Sequence, residues 1–347
     1  MSARTVTPVD RLDRLVAART DAGARFFGEQ AGPLAELCHR MAERFARGGR
    51  LVAFGASAAD GSDVRHVAVE FVHPVIVGKR ALPAFGIAPG EAALLLAPED
   101  IAMAFGAGEE IEGAVAAARA RGCLTLAFAP VGAEWTLIPP TEDPFVAQEL
   151  VETTYHVLWE LVHVFFEHRG LLAGRDAREH HDAGASSFLY PFLAEEETDL
   201  GAVLEDVRAS IGAKAGETAA LRAQTVRDGR AALVAAAAEL RVRLDAGGTL
   251  LALGNGGSAT DAMDAVADLR TPPRRRWPAR RALDLTADPA ILTAIANDVG
   301  TEAIFARQVI AYGGAGDGLL ALSTSGNSTN VIAALAEARR RGLVTVA

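Results

Sequence analysis

The sequence is poor in cysteine and lysine and carries no excess of positive charge. Cys38 and Cys123 are its only cysteines, and their wide separation predicts neither a disulfide framework nor a cysteine metal site. The formal net charge of −10 is opposite in sign to that of a nucleic-acid-binding surface, which needs concentrated positive charge. The charge argues against nucleic-acid binding and favours small-molecule chemistry.

Long hydrophobic runs are also missing. The N-terminal stretch MSARTVTPVDRLDRL lacks the apolar core of a signal peptide, and no run approaches the length of a membrane span. A length of 347 residues predicts about two domains, and a hydrophobic content of 50% is enough for two cores. We therefore predict a cytoplasmic protein that binds neither a membrane nor nucleic acid.

The chain repeats one pattern of strands, glycine turns and helices. RGGRLVAFGAS (47–57) resembles DAGGTLLALGNGGS (245–258), and IEGAVAAARARGCLTLAF (111–128) resembles VIAALAEARRRGLVTVA (331–347). Strands that alternate with helices in this way predict parallel β-α-β units with helices on both faces of a sheet. We therefore predict an α/β duplication.

The predicted boundaries give a first domain over 1–168, a linker over 169–199 and a second domain over 200–347. His180, His181 and Asp182 within the linker are a possible metal site, but a solvated linker is the favoured interpretation. The second copy stops on the strand that matches LTLAF of the first copy, so it lacks the last strand and helix of the repeated unit. We expect a fragment of a longer chain, rather than a domain that borrows a partner's helix.

Two loops of the second copy combine glycines or hydroxyls with the start of a helix. GNGGS (254–258) follows a predicted strand, and glycines there let backbone N–H groups approach an anion closely. STSGNS (323–328) places four hydroxyls in the same kind of position. Hydroxyls and helix N–H groups can hold a phosphate without lysine, and Lys79 and Lys214 are the only lysines. These loops predict a phosphate site.

The second copy resembles the SIS (sugar isomerase) domain of the phosphoheptose isomerases. The resemblance lies in these two loops and in the stretches LTADPAILTAIANDVGTEAIFARQV (285–309) and GDGLLALSTSGNSTNVIAALAEARRRG (316–342). The resemblance implies a five-stranded parallel sheet flanked by helices, a homo-oligomer, and interconversion of sedoheptulose 7-phosphate with an aldoheptose 7-phosphate. It also implies that the residues binding the phosphorylated sugar are Asn255, Gly257, Ser258, Asn297, Asp298, Ser323, Thr324, Ser325 and Ser328.

The first copy matches a different part of the same family. The family motif D-A-x-H-x-x-x-E, followed later by Q-x7-H, corresponds to DVRHVAVEF (63–71) and VAQELVETTYH (146–156). The resemblance implies a zinc ion held by four residues, of which Glu70 and His156 are also the base and the acid of the isomerisation. The four ligands implied are His66, Glu70, Gln148 and His156. The alternative is that the first pair lies on a helix surface and His156 is packed in a core.

Each copy lacks what the other copy keeps. In the second copy Asp264 replaces the histidine and Asp268 replaces the glutamate. Asp268 remains a candidate base, but two aspartates without nitrogen ligands make a poor zinc site. In the first copy GASAADGSD and AFGAGEEIEG replace the phosphate loops, and Glu109 and Glu110 would repel phosphate.

Two functions are therefore open. The first is a sugar-phosphate aldose–ketose isomerase of the phosphoheptose isomerase type, with zinc as a possible cofactor. The alternative is a non-catalytic SIS module that binds a sugar phosphate or a protein partner as a regulator. The division of motifs between the copies is what favours the alternative.

Overall fold

A computed structural model of the protein describes residues 7–74, 79–167, 171–172 and 199–347. The chain forms two compact units, Met1–Arg227 and Asp228–Ala347. Most of the predicted linker, including His180, His181 and Asp182, lies outside the described residues. No helix in the described part of the chain is long and apolar enough to cross a membrane.

The first unit alternates helices with strands up to β4, with one 3-10 turn before its third helix, and β5 then follows β4 directly. Its elements are α1 (Pro8–Ala46), β1 (Leu51–Gly55), α2 (Ala58–Val72), β2 (Ala84–Ile87), α3 (Ala92–Leu95), β3 (Ile101–Phe105), α4 (Glu109–Ala120), β4 (Leu124–Ala127), β5 (Trp135–Thr136) and α5 (Pro144–Glu167). The next helix, α6 (Leu200–Asp245), begins in this unit.

The second unit repeats the order of β1 to β4, with two helices in the place of α3. Its elements after α6 are β6 (Leu250–Leu253), α7 (Gly257–Arg270), β7 (Ala282–Asp284), α8 (Pro289–Asp298), α9 (Ala306–Tyr312), β8 (Gly318–Ala321), α10 (Thr329–Arg340) and β9 (Val344–Val346).

The two sheets are entirely parallel and share one topology. The first has the order β2-β1-β3-β4-β5, and the second has the order β7-β6-β8-β9. Leu51 pairs with the first residues of β2 and β3, and Leu250 pairs with the first residues of β7 and β8. The predicted α/β fold with two parallel sheets is confirmed, and the second sheet has one strand fewer.

Continuous apolar runs explain why the central strands lie inside the sheets. LVAF of β1 and LLAL of β6 are buried throughout, as strands covered by helices on both faces should be. In the first unit α1 and α5 supply the larger core, which includes Phe26, Leu34 and Phe165.

The first part of α6 belongs to the core of the first unit. Val203, Val207 and Ile211 recur every four residues, so they share one face of the helix, and all three are buried in that core. The division between the units therefore falls inside α6, at Arg227 and Asp228.

The strand order creates equivalent crevices in the two sheets. From β1 the chain forms β2 on one side and then β3 on the other, and β6, β7 and β8 repeat this reversal. In open α/β sheets ligands bind beyond the carboxyl ends of the strands where the order reverses. The loops after β1 and β3, and those after β6 and β8, are therefore where a site is expected.

Candidate functional site

Helix α2 presents His66 and Glu70 on one face in the first unit. The helix is fixed at its start by a capping box, in which the Asp60 backbone N–H donates to Ser57 Oγ at 3.0 Å and the Ser57 N–H donates to Asp60 Oδ2 at 2.9 Å. Four residues advance the helix by little more than one turn, so the two side chains lie next to each other. Both are buried, which excludes the interpretation of a surface pair.

Helix α5 brings Glu152 and His156 against that face. The two carboxylates and two imidazoles alternate in a closed arrangement, called here the His–Glu ring: His66, Glu70, His156 and Glu152. The Glu70 oxygens lie 3.8 Å from His66 Nε2 and 3.8 Å from His156 Nδ1. Glu152 Oε1 lies 3.6 Å from His66 Nδ1 and 3.8 Å from His156 Nε2.

The ring is closed on one side and open to solvent on the other. The side chains of His66 and Glu70 are 5% and 9% exposed, whereas those of His156 and Glu152 are 38% and 29% exposed. The buried ring of Tyr155 lies 5.3 Å from that of His66 and forms part of the closed side. A solute can therefore reach the ring from the side of His156.

The donor set suits a divalent metal such as zinc. Ligand atoms of His66, Glu70 and His156 all lie within 4.8 Å of one another. Two imidazole nitrogens and a carboxylate are ordinary zinc ligands, and tetrahedral bonds of about 2.0–2.2 Å would place such atoms roughly 3.3–3.6 Å apart. The residues present therefore fit the group that the resemblance implies.

Burial keeps the histidine of α2 in the form that binds metals. Desolvation lowers the pKa of His66 to about 4, even though the nearby Glu152 carboxylate opposes that shift. Burial also raises the pKa of Glu70, with His156 acting against the change. At neutral pH His66 is thus neutral and has a lone pair available, and Glu70 is a stronger base than an exposed glutamate.

Gln148 lies at the edge of this arrangement. Its side-chain amide nitrogen donates to Asp63 Oδ1 at 2.9 Å, and Asp63 is itself buried on α2. The contact connects α5 to α2 on the N-terminal side of His66. The role of Gln148 as a metal ligand stays a prediction.

Sequence reasoning missed Glu152. It stands four residues after Gln148 and four before His156, so the helical period places all three on one face of α5. That spacing was a usable signal. The family motif obscured it, because only the two ends of Q-x7-H are specified.

In the second unit the two predicted phosphate loops lie side by side. Asn255, in the loop after β6, and Asn330, in the first turn of α10, exchange amide hydrogen bonds of 3.0 and 2.9 Å. The loop after β6 depends on glycine, since Gly256 has a φ of 58° and a Cβ on Gly254 would lie 2.2 Å from the Ser258 carbonyl oxygen. Gly257 and Ser258 open α7.

The serine loop, residues 323–328, is shaped by its own hydroxyls. Ser323 Oγ lies 3.2 Å from Ser328 Oγ and accepts the Gly326 N–H, and Ser325 Oγ accepts the Asn327 N–H. Ser328 is the N-cap of α10, and Thr324 and Ser325 are exposed. The start of α10, its cap hydroxyl and the GNGGS loop thus lie close together, and their composition is that of an anion site.

The remaining candidate residues of the second unit lie at the end of α8 and farther along α7. Asn297 and Asp298 are both exposed at the end of α8, where the Asn297 amide donates to Asp298 Oδ1 at 2.7 Å. Asp264 and Asp268 lie on α7, and burial raises the pKa of Asp268.

Replacing Asp268 with asparagine should make the second unit more stable at neutral pH. The folded-state pKa lies above the ordinary aspartate value, so the ionised form costs stability above that pKa and the cost disappears at lower pH. The gain at pH 7 should be at most about 1 kcal/mol, because the side chain is half-buried and water screens it. Urea unfolding at pH 7 and pH 4 measures it. A loss of stability at pH 7 would mean that a partner stabilises the carboxylate.

In the first unit a carboxylate lies at the position that corresponds to the anion site of the second unit. Asp60 precedes His66 by six residues, as Ser258 precedes Asp264, so the two positions correspond. A Cβ on Gly55 would lie 2.4 Å from the Asp60 Cβ, and a Cβ on Gly106 would lie 2.4 Å from Asp60 Oδ2. The carboxylate therefore occupies the space between the ends of β1 and β3. This group, rather than Glu109 and Glu110 alone, opposes phosphate there.

Comparisons with known proteins agree with this fold. The family model described as SIS domain matches residues 215–347. The chain is 46% identical over 130 residues to the phosphoheptose isomerase of Solidesulfovibrio magneticus, which covers 38% of this chain and 64% of that protein. It is 42% identical over 144 residues to the phosphoheptose isomerase of a Roseiflexus species, which covers 42% of this chain and 69% of that protein. The chain spans about half to two thirds of the length of such relatives.

A solved structure resembles nearly the whole chain in fold. The C-terminal domain of glucosamine-fructose-6-phosphate aminotransferase from Francisella tularensis superposes with a TM-score of 0.53. The match covers 95% of this chain and 80% of that structure, at 9% sequence identity. At this identity the likeness concerns the fold alone.

Proposed function

Because the chain belongs to the SIS-domain family, we propose that it is a sugar-phosphate isomerase of the phosphoheptose isomerase type. The observation that carries the proposal is the His–Glu ring, in which ligand atoms of His66, Glu70 and His156 lie within 4.8 Å of one another. In this proposal the residues suited to proton transfer belong to the first unit, and the residues suited to phosphate binding belong to the second unit.

The reaction needs a base that removes the proton next to the sugar carbonyl. Glu70 suits this role, because burial raises the pKa of its carboxyl and so makes the carboxylate more basic. Asp268 is the corresponding candidate in the second unit, one methylene shorter.

The reaction also needs an acid that moves a proton between the two sugar oxygens. His156 suits this role, since its ring lies beside Glu70, with 3.8 Å between His156 Nδ1 and Glu70 Oε2, on the solvent-accessible side. A zinc ion bound by His66, Glu70 and His156, with Gln148 as the family's fourth ligand, would supply Lewis acidity toward the sugar oxygens.

Binding of the phosphate is assigned to the second unit. A phosphate dianion can be bound there without lysine, by hydrogen bonds from serine hydroxyls and from the N–H groups at the start of α10. The serines are Ser258, Ser323, Ser325 and Ser328. Asn297 and Asp298 are proposed to contact the sugar. Assembly into a homo-oligomer is part of the proposal, and light scattering on the purified chain tests it.

The alternative is a non-catalytic SIS module that binds a sugar phosphate or a protein partner. Two observations favour it: Asp60 fills the anion space of the first unit, and Asp264 and Asp268 replace the histidine and glutamate in the second. Neither unit by itself therefore carries both halves of the family's chemistry.

Conversion of sedoheptulose 7-phosphate, followed by NMR, tests the proposal. The purified chain should convert it after loading with zinc, and should leave unphosphorylated sedoheptulose unchanged because the serine loop has nothing to bind. Calorimetric titration with the same compound is the parallel measurement. Tight binding without conversion, with and without zinc, would replace the isomerase with the regulator.

A further inference from the structure

Glu152 stands between the two histidines of the His–Glu ring in a way that Glu70 does not. A single oxygen, Oε1, lies 3.6 Å from His66 Nδ1 and 3.8 Å from His156 Nε2. Glu70 instead directs a separate oxygen toward the opposite nitrogen of each ring. Each imidazole thus has one nitrogen on the Glu70 side and the other on the Glu152 side.

This arrangement constrains the protons of the two rings. A neutral imidazole carries one N–H donor and one lone pair, and a carboxylate oxygen can accept two N–H groups. Histidines that bind metals commonly donate their second N–H to a carboxylate, which fixes the tautomer. If both rings donate toward Glu152, the lone pairs of His66 Nε2 and His156 Nδ1 both lie on the side of Glu70.

We infer that Glu152 is a positioning residue that sets opposite tautomers on the two histidines. His66 carries its proton on Nδ1, and His156 carries its proton on Nε2. Their lone pairs and the Glu70 carboxylate then form one set of donors for a divalent cation. The inference rests on the proposed metal-dependent isomerase in one respect, which is that the donors bind a divalent cation. The tautomers themselves do not depend on that function.

Gln148 cannot perform this task from its present place. Its amide nitrogen is engaged by Asp63 at 2.9 Å, and an amide offers one neutral acceptor oxygen where a carboxylate offers charge. Glu152 is one turn closer to His156 on the same face of α5. The helix therefore uses Glu152 to orient the rings and Gln148 to connect α5 with α2.

Long-range ¹⁵N–¹H spectra of histidine-labelled protein test the inference. Signals are assigned by substituting His66 and His156 in turn, and the two neutral tautomers differ clearly in their ¹⁵N shifts. The metal-free chain should show protonated Nδ1 on His66 and protonated Nε2 on His156. Glu152→Ala should leave the two rings without this preference, and Glu152→Met, which has a similar length and no acceptor oxygen, serves if the alanine variant does not fold. The same tautomer on both rings would overturn the inference.

Titration with Co²⁺ gives a second readout, with Glu160→Ala as the matched control. Glu160 lies on the same helix, where its carboxylate pairs with Lys214 at 2.6 Å. Glu152→Ala should weaken Co²⁺ binding by about 10–100-fold at unchanged stoichiometry, and the control should not. Unchanged affinity, or complete loss of the ion as in Glu70→Ala, would also overturn the inference. If the wild-type chain has the predicted tautomers but binds no Co²⁺, the positioning role stands and the metal-dependent function fails.

Discussion

Replacement of Glu70 with glutamine is expected to lower kcat for sugar-phosphate isomerisation by a factor of about 10²–10⁴, the usual contribution of a positioned general base. Glutamine has nearly the same shape as glutamate but cannot accept the proton. The carboxylate is buried, with its oxygens 3.8 Å from one nitrogen of each histidine, so no bulk water replaces it easily. Steady-state kinetics of the zinc-loaded variant measure the loss.

The matched control for this change is Glu149→Gln on α5. Glu149 is an acidic residue of the same unit whose carboxylate pairs with Arg19 at 2.5 Å instead of a histidine. Its variant should keep kcat within about twofold, a change that corresponds to less than about 0.5 kcal/mol. Equal losses in both variants, or no loss in Glu70→Gln, would remove Glu70 as the base.

Substitution of Ser325 with alanine is expected to weaken the binding of a sugar phosphate by about 1–3 kcal/mol, the scale of a charge-assisted hydrogen bond. Its hydroxyl is exposed and accepts a 3.2 Å hydrogen bond from the Asn327 N–H, so it can turn to a ligand at small cost. Calorimetric titration with sedoheptulose 7-phosphate measures the change.

Ser210→Ala provides the comparison for that titration. Ser210 is a half-buried serine in the part of α6 that belongs to the first unit, and it is a member of neither phosphate loop. The Ser210→Ala variant should bind the sugar phosphate with wild-type affinity. An unchanged affinity in Ser325→Ala, with Ser323→Ala equally unaffected, would mean that the phosphate does not bind at the serine loop.

Much of the fold could be predicted from local patterns. Buried runs such as LVAF and LLAL predict central parallel strands, and the repeated glycine turns after them predict two equivalent sheets. The closeness of His66 and Glu70 follows from a spacing of four residues on one helix. The loops after β6 and β8 are adjacent because parallel strands end at the same edge.

The remaining features depend on how distant elements pack. No local pattern specifies that α5 crosses α2 so that Glu152 lies between two histidines. The sequence GASAAD predicts the capping box of Ser57 and Asp60. It does not predict that the carboxylate of Asp60 also covers Gly106. The packing of Val207 and its neighbours in the core of the first unit could not be predicted either, because the apolar face of a helix does not determine which core it packs against.

Proton exchange at the carbon next to the sugar carbonyl tests the central claim most directly. The zinc-loaded chain should incorporate deuterium from D₂O into sedoheptulose 7-phosphate at that carbon, as a reaction through an enediol requires, and Glu70→Gln should lose most of the incorporation. No incorporation by the wild-type chain under conditions where calorimetry shows the sugar phosphate bound would contradict the account, and the chain would then be a binding module.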